Sequence, residues 1–309
     1  MTEATDAILA LCKALSPTRT AVVHPVKPNV LEAVDEAVRE KLIVPVLIGP
    51  RVKIEEAAAA ASVDISGWEL VDVEHSHAAA AKAAELAAGH QVDAIMKGSL
   101  HTDELLAAVV RQDAGLRTER RISHAYLMSI ASYPKPFIIT DAAVNILPDL
   151  PAKADIVQNA ADLWRVVFGK GVLPKVAVLA AVETVNPKMQ ATLDAAALCK
   201  MADRGQITDC VIDGPLAFDN AISAEAAIEK GIVSEVAGQA DILVVPDIEA
   251  GNMLAKQLTF LGGAEAAGIV LGARVPVILT SRADNERARL LSCALAALLA
   301  EARDKGQIK

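Results

Sequence analysis

The sequence predicts an α/β fold in which mostly parallel strands are covered by helices. Short apolar runs alternate with helical patterns along almost the whole chain, which is the rhythm of strand–helix–strand units. At 309 residues there is length for two compact lobes or one large domain. Residues are 53% apolar but only 3% aromatic, so the core must come from closely packed helices with small side chains rather than stacked rings.

The first segment, MTEATDAILALCKAL, has acids early and apolar positions spaced as on an amphipathic helix; nothing in it resembles a signal peptide. Strands are then expected at residues 20–24, 44–48, 94–96, 137–140, 176–179, 210–212, 242–245 and 275–279. Helical patterns fall at 29–41, 77–89, 154–168, 189–204 and 285–303. Near the middle, Ser132-Tyr133-Pro134-Lys135-Pro136 is the best lobe boundary, because two prolines favour extended chain. In open sheets of this kind, ligands bind beyond the C-terminal ends of the strands. Residues that follow strands are therefore the informative ones.

Composition prunes the functions available. A net charge of −9 argues against a nucleic-acid binder, so any anion site must be made locally from a few arginines and helix N-termini. No apolar run is long enough to span a bilayer, and no membrane partner is expected. Cys12, Cys199, Cys210 and Cys293 are scattered, without metal-ligand spacing, and read as free thiols in a reducing cytoplasm. His75 and His77, if on a strand, would share one face, but no further ligands lie nearby; no metal is expected. The sequence has no GxxxxGK[ST] phosphate loop, GxGxxG fingerprint, GxSxG elbow or HExxH pair.

Four strand-following stretches carry candidate chemistry. Thr280-Ser281-Arg282-Ala283-Asp284 lies between a strand and a long helical pattern, where exposed amides and the helix dipole favour anions. Ser281 can donate to a developing oxyanion and Arg282 can grip a phosphate with two bonds; the plainer reading makes Ser281 or Asp284 a helix cap. Lys97-Gly98-Ser99-Leu100-His101-Thr102 has a glycine that permits close backbone approach to a ligand, and His101 could orient an oxygen or merely begin a helix. Arg111, Arg117, Arg120 and Arg121, running into Ser123-His124, form a basic wall or a solvated face. Glu249-Ala250-Gly251-Asn252 could approach a ligand through its amides or act as a plain cap, and Asp141 in Thr140-Asp141-Ala142-Ala143-Val144-Asn145 has the same two readings.

Taken in order, these stretches resemble the phosphate acetyltransferase and phosphate butyryltransferase family, from Val22-Val23-His24-Pro25 to Ser281-Arg282-Ala283-Asp284. Gly115-Leu116-Arg117-Thr118, Asp213-Gly214-Pro215-Leu216 and Asp247-Ile248-Glu249-Ala250-Gly251-Asn252 carry the resemblance further. Ala180-Ala181-Val182-Glu183-Thr184-Val185-Asn186-Pro187 looks like the form found in acyltransferase domains fused behind an enoyl-hydratase-like domain, which is not in this sequence.

The resemblance implies two α/β lobes with an interlobe cleft, related to the isocitrate and isopropylmalate dehydrogenase architecture. The lobes would be 1–136 with 270–309, and 137–269. It also implies a homodimer that transfers a short acyl group between coenzyme A and phosphate, with acyl-CoA, phosphate and acyl phosphate as partners. Coenzyme A is then a substrate, and no cofactor is bound permanently. By motif, Ser281, Arg282 and Asp284 would be catalytic, and His101, Thr102, Arg117, Arg121, Ser123, Asp141, Gly251 and Asn252 would bind substrate. Two positions depart from the acetyltransferase branch. Ala288 stands where that branch carries an aspartate proposed as the thiol's base, and Glu104-Leu105-Leu106 stands where it carries an arginine; Arg111, further along, is the residue that could compensate. Two other classes compete: a coenzyme A- or acyl-phosphate-binding protein impaired in catalysis, and a dehydrogenase on a related fold.

Overall fold

The structure, a computed structural model, describes residues 3–279 and 285–308. The chain starts α1 (Glu3–Cys12), β1 (Thr18–Val23), α2 (Pro28–Arg39), β2 (Ile43–Gly49), α3 (Arg51–Ala61), β3 (Glu69–Asp72), α4 (Ser76–Ala88), β4 (Ala94–Lys97) and α5 (Thr102–Val110). It continues through β5 (Ser123–Ser129), β6 (Phe137–Thr140), α6 (Leu150–Phe168), β7 (Lys175–Leu179), α7 (Gln190–Asp203), β8 (Val211–Leu216), α8 (Phe218–Ile222), α9 (Ala224–Glu229), β9 (Ile242–Val244) and α10 (Ile248–Phe260). β10 (Glu265–Leu271), β11 (Val277–Ile278) and α11 (Glu286–Asp304) complete it.

Two compact units result: Thr5–Arg120 with Ala267–Lys309, and Arg121–Ala266 with Met1–Ala4. We call them the split unit and the inserted unit. Chain exchange between them occurs at Arg120/Arg121, whereas Ser132–Pro136 was the expected boundary. That segment instead joins β5 to β6, which pair antiparallel with Ala125 opposite Thr140 and Met128 opposite Phe137. Two adjacent antiparallel strands need only a short connection, and the prolines serve that turn.

Strands of the split unit lie in the order β3-β2-β1-β4-β11-β10, all parallel except β10, which runs antiparallel to β11. Those of the inserted unit lie in the order β5-β6-β9-β7-β8, parallel from β6 onward. Mostly parallel strands bury both faces, so they read as continuous apolar runs. Small side chains bring the helices close: α4 buries Ala79, Ala80, Ala83, Ala84 and Ala87 along one face. α6 starts earlier than its periodicity suggests. Asp149 caps it by accepting from the Ala152 amide at 3.0 Å, and Pro151 fits the first turn, where no amide donor is needed.

Candidate active site

In the split unit the chain moves outward from β1 to β2 and β3, then returns to place β4 on the other side of β1. At such a reversal the connections diverge and leave a crevice at the C-terminal ends of the strands. β11 lies beside β4, parallel and in register, with Val277 opposite Ile95 and Ile278 opposite Met96. The chain therefore leaves β11 at the same sheet edge at which it leaves β4.

Gly98 has a different purpose from the one its sequence context suggests. Its amide donates to the Val23 carbonyl at 2.9 Å, and the Ser99 amide donates to the His24 carbonyl at 2.9 Å. A Cβ on Gly98 would stand 2.2 Å from that Val23 oxygen. The close approach is thus to the backbone leaving β1, not to a ligand. His24 itself takes a left-handed conformation at φ 55°, and its Nδ1 is buried without a hydrogen-bond partner. Burial foremost, helped by the charge of Lys53, holds its imidazole below the usual histidine pKa against the opposing pull of Glu104.

His101 occupies the N-cap position of α5, exposed and making no capping bond, and Thr102 opens the helix. Glu104, in the first turn, is paired with His77. His75 and His77 lie at a helix start rather than on a strand: His75 caps α4, its Nδ1 accepting from the Ala78 amide at 3.1 Å. Arg111 follows α5, exposed, and its Nε donates to Asp113 Oδ1 at 2.5 Å. Arg117 is exposed on a strand-like stretch fixed to the chain after β10. Thr118 Oγ1 donates to the Gly272 carbonyl at 2.6 Å, and the Arg274 amide donates to Leu116 at 2.9 Å.

The inserted unit organises a second group of predicted residues. Arg121 is exposed, yet three bonds fix it. Its amide donates to Asp155 at 2.9 Å, its carbonyl accepts from Asn159 at 3.0 Å, and its Nε donates to Asn145 Oδ1 at 2.7 Å. Asn145 in turn donates to Asp141 at 2.5 Å and to the Ile122 carbonyl at 2.9 Å. Asp141 was expected to meet the ligand, but it is 2% exposed. Its carboxylate accepts from the amides of Ala143, Val144 and Asn145 at 3.0 to 3.2 Å, which makes it the organiser of the turn after β6.

Ser123, also expected at the ligand, is fully buried with its Oγ accepting from Asn159 at 2.9 Å. Gly251 and Asn252 are the fourth and fifth residues of α10, and the Gly251 amide already donates to the Asp247 carbonyl at 3.1 Å. Asp247 caps α10, and a Cβ on Gly251 would lie 2.6 Å from Val245 and 3.1 Å from the Asp141 carbonyl. Asn252 Nδ2 donates to the Ala142 carbonyl at 3.2 Å, so both residues clamp α10 onto the Asp141 turn. His124 is buried and neutral, pushed down to about 4 by burial despite the nearby Asp141 charge.

Ser281, Arg282 and Asp284 lie outside the described residues. Their flanks are defined: β11 ends at Ile278, and Asn285 caps α11 by accepting from the Ala288 amide at 2.8 Å. The cap of α11 is thus Asn285, not Ser281 or Asp284.

Residues 77–297 match the family model described as Phosphate acetyl/butaryl transferase. The phosphate acetyltransferase of Rickettsia felis is 60% identical over 292 residues, 94% of this chain and 83% of that protein. The chain belongs to this family. Its phosphate butyryltransferase branch is represented by the Clostridium acetobutylicum protein, 40% identical over 300 residues, 97% of this chain and 99% of that one. A solved branched-chain phosphotransacylase from Enterococcus faecalis V583 superimposes with a TM-score of 0.78 at 30% identity, covering 91% of this chain and 99% of its own.

For a phosphate acyltransferase, two anionic partners have to be received, since the family's reaction involves acyl-CoA, phosphate and acyl phosphate. Sequence reasoning found the arginines but missed Asn145 and Asn159, which hold Arg121 in place. The spacing of Asn145, four residues after Asp141, was the available signal, because Asp side chains readily bond the amides that follow them. Among the described residues no group of histidine, cysteine and carboxylate side chains is placed to hold a metal ion, and no helix is long and apolar enough to cross a membrane.

Proposed function

We propose that this phosphate acyltransferase moves an acetyl to butyryl group reversibly between coenzyme A and phosphate, with both substrates held together. The observation that carries the site is the parallel pairing of β4 with β11 at the strand reversal. It puts the exit of the chain toward Ser281 at the same edge as the turn ending in His101 and Thr102. The relative at 60% identity is named a phosphate acetyltransferase and the one at 40% a phosphate butyryltransferase, which favours acetyl as the first acyl group to test.

In the forward step a phosphate oxygen attacks the thioester carbon, the carbon–sulfur bond breaks, and the departing sulfur takes a proton. Negative charge develops on the acyl oxygen, and a preorganised donor there lowers the barrier. Ser281 is assigned that donor and Arg282 the phosphate grip, with two parallel N–H bonds suited to the anion. In the reverse direction the thiol must lose its proton, and a free thiol near pKa ~8.5 is mostly protonated at neutral pH. Asp284 is assigned that role, since Ala288 has none to offer. His101, Thr102, Arg117 and Arg121 are assigned to substrate. Asp141, Ser123, Gly251 and Asn252 support from behind, through the turn after β6 and through Asn159. Simultaneous binding supplies much of the acceleration by removing the entropy cost of encounter.

A homodimer in the cytoplasm completes the proposal. Exposed Met253 in the middle of α10, with Phe260 and Leu261 at its end, offers apolar surface for a second copy, and four free cysteines suit a reducing compartment. Light scattering on the purified protein reads the mass directly.

Thiol release from acetyl-, propionyl- and butyryl-CoA in the presence of phosphate tests the reaction. No release with any of the three would overturn it and leave the binding-protein reading. Ser281→Ala should cut kcat by about 10²-fold or more while changing KM little, as for loss of an oxyanion donor. A raised KM at unchanged kcat would reassign Ser281 to ground-state binding.

A further inference from the structure

The first turns of α11 are tied to three other elements. Arg287 donates to Thr5 Oγ1 of α1 at 2.8 Å and is paired with Asp6. Arg289 Nη1 donates to the Asn29 carbonyl at the start of α2 at 3.4 Å. Ser292 Oγ accepts from the Gly268 amide of β10 at 3.0 Å and donates to the Ala288 carbonyl at 2.8 Å. The guanidinium, hydroxyl and backbone groups in these bonds keep one protonation state across the neutral range.

One further tie differs in kind. Glu36 of α2 shares a side-chain hydrogen bond with Glu286, the first residue of α11. Two carboxyl groups can share such a bond only while one of them holds a proton, because two carboxylates offer acceptors and no donor. The amides at the start of α11 favour negative charge beside them, whereas Glu36 lies toward the negative end of α2 with Glu40 close by. The shared proton therefore belongs on Glu36. Burial foremost, then the bond to Glu286 and the charges of Glu286 and Glu40, holds that carboxyl up at about 7 against the opposing charge of Arg289. Cys293 of α11 also faces it, as a buried thiol pushed up to about 12 by that burial, and stays neutral.

We propose that Glu36 is a positioning residue for acyl transfer, acting through its hydrogen bond to Glu286 at the start of α11. The proposal rests on the acyltransferase reading, in which Ser281 and Arg282 act, and adds a residue to it. Asn285 and Glu286 follow residues 281–284 directly in sequence, so whatever holds the first turn of α11 holds the anchor from which that stretch runs. With the proton in place, the turn is fastened to α2. As pH rises through about 7 the pair becomes two like charges, and repulsion replaces the bond.

The test compares Glu36→Gln with the wild type as full chains, by thiol release at saturating acyl-CoA and phosphate between pH 6 and pH 8. The amide cannot ionise and still donates to Glu286. The ratio of its kcat to the wild-type kcat should therefore climb from near one at pH 6 to about three- to tenfold at pH 8, the range for one hydrogen bond. Taking the ratio removes the pH dependence that the reaction brings to both proteins. Glu286→Gln, at an exposed position, also keeps the bond at every pH and should show the same climb. It decides alone should Glu36→Gln fail to fold. Glu36→Ala, with no bond to keep, should fall below the wild type at pH 6 and not at pH 8. A residue that only stabilises the fold would shift the melting temperature and leave these ratios flat, so flat ratios for both glutamine variants overturn the proposal. Amide hydrogen exchange over residues 285–292 supplies a readout free of turnover. At pH 8 the start of α11 should exchange faster in the wild type than in Glu36→Gln, and at pH 6 equally fast. Equal exchange at both pH values overturns the proposal, whereas protein that shows the difference but releases no thiol fails only the acyltransferase reading.

Discussion

Asp141, Asn145 and Arg121 form a relay in which only the last member faces solvent. The buried carboxylate of Asp141 fixes the turn, the turn presents Asn145, and Asn145 takes the Nε of Arg121 at 2.7 Å. Lysine has no Nε, so Arg121→Lys keeps the charge and loses the anchor. Both Arg121→Lys and Asn145→Ala should then raise KM for one anionic substrate by about three- to tenfold, the range for one hydrogen bond involving a charged group. The decisive measurement is the double variant. If Asn145 works through Arg121, the two losses do not add; fully additive losses would make Asn145 a merely structural residue. Sequence pattern picked out Asp141 and Arg121 as chemically notable, each in its own stretch. It could not show that the carboxylate's oxygens are already taken by three backbone amides, since that depends on how the turn folds.

At the scale of elements, the packing of α2 against α11 contains an unusual pair. Glu36 of α2 shares a hydrogen bond with Glu286 in the first turn of α11, and its carboxyl is pushed up to about 7. Burial is the main cause, followed by the bond to Glu286 and the charges of Glu286 and Glu40, with Arg289 opposing. A carboxyl whose folded pKa is raised stabilises the fold below its unfolded value, near ~4.5, and that contribution is lost as pH rises through about 7. Glu36→Gln cannot ionise and can still donate to Glu286. Its melting temperature should therefore exceed that of the wild type at pH 8, with the difference shrinking toward pH 5. A difference independent of pH would show that the pair is not shared in solution. Both helices were legible from their apolar spacing, but this contact was not, because the partners are 250 positions apart. β5 was illegible for a local reason. Its Ser123, His124 and Ser129 break the apolar run, and Ser123 is tolerated in the core because Asn159 satisfies its hydroxyl. α3 escaped notice because its run of alanines gives little periodicity to read.

For the whole molecule, the division into units makes opposite demands on the two stretches of chain. Residues 121–266 are contiguous and carry a complete set of strands, β5 to β9, around a core that includes Met128, Ile139, Leu179, Leu216 and Leu243. A buried ion pair between Lys153 of α6 and Asp194 of α7, 2.7 Å apart, joins two of its helices. Residues 5–120 lack β11, which borders β4, and α11, whose Leu291, Leu295 and Leu299 are buried in the same unit. Without them β4 becomes an open edge strand in an apolar setting, a template for aggregation rather than a finished sheet. Fragment 121–266 should therefore show a cooperative thermal transition and dispersed amide resonances by itself. Fragment 5–120 should not, until residues 267–309 are joined to it through a flexible glycine-serine linker. Cooperative folding of 5–120 without the returning segment would refute this account. The return of the chain also has a consequence for assembly: β11, after which Ser281 and Arg282 follow in sequence, can join its sheet only after the inserted unit has been made. The split unit can therefore complete the sheet edge proposed for catalysis only when β11 pairs with β4, so folding of this unit and assembly of that edge are one event.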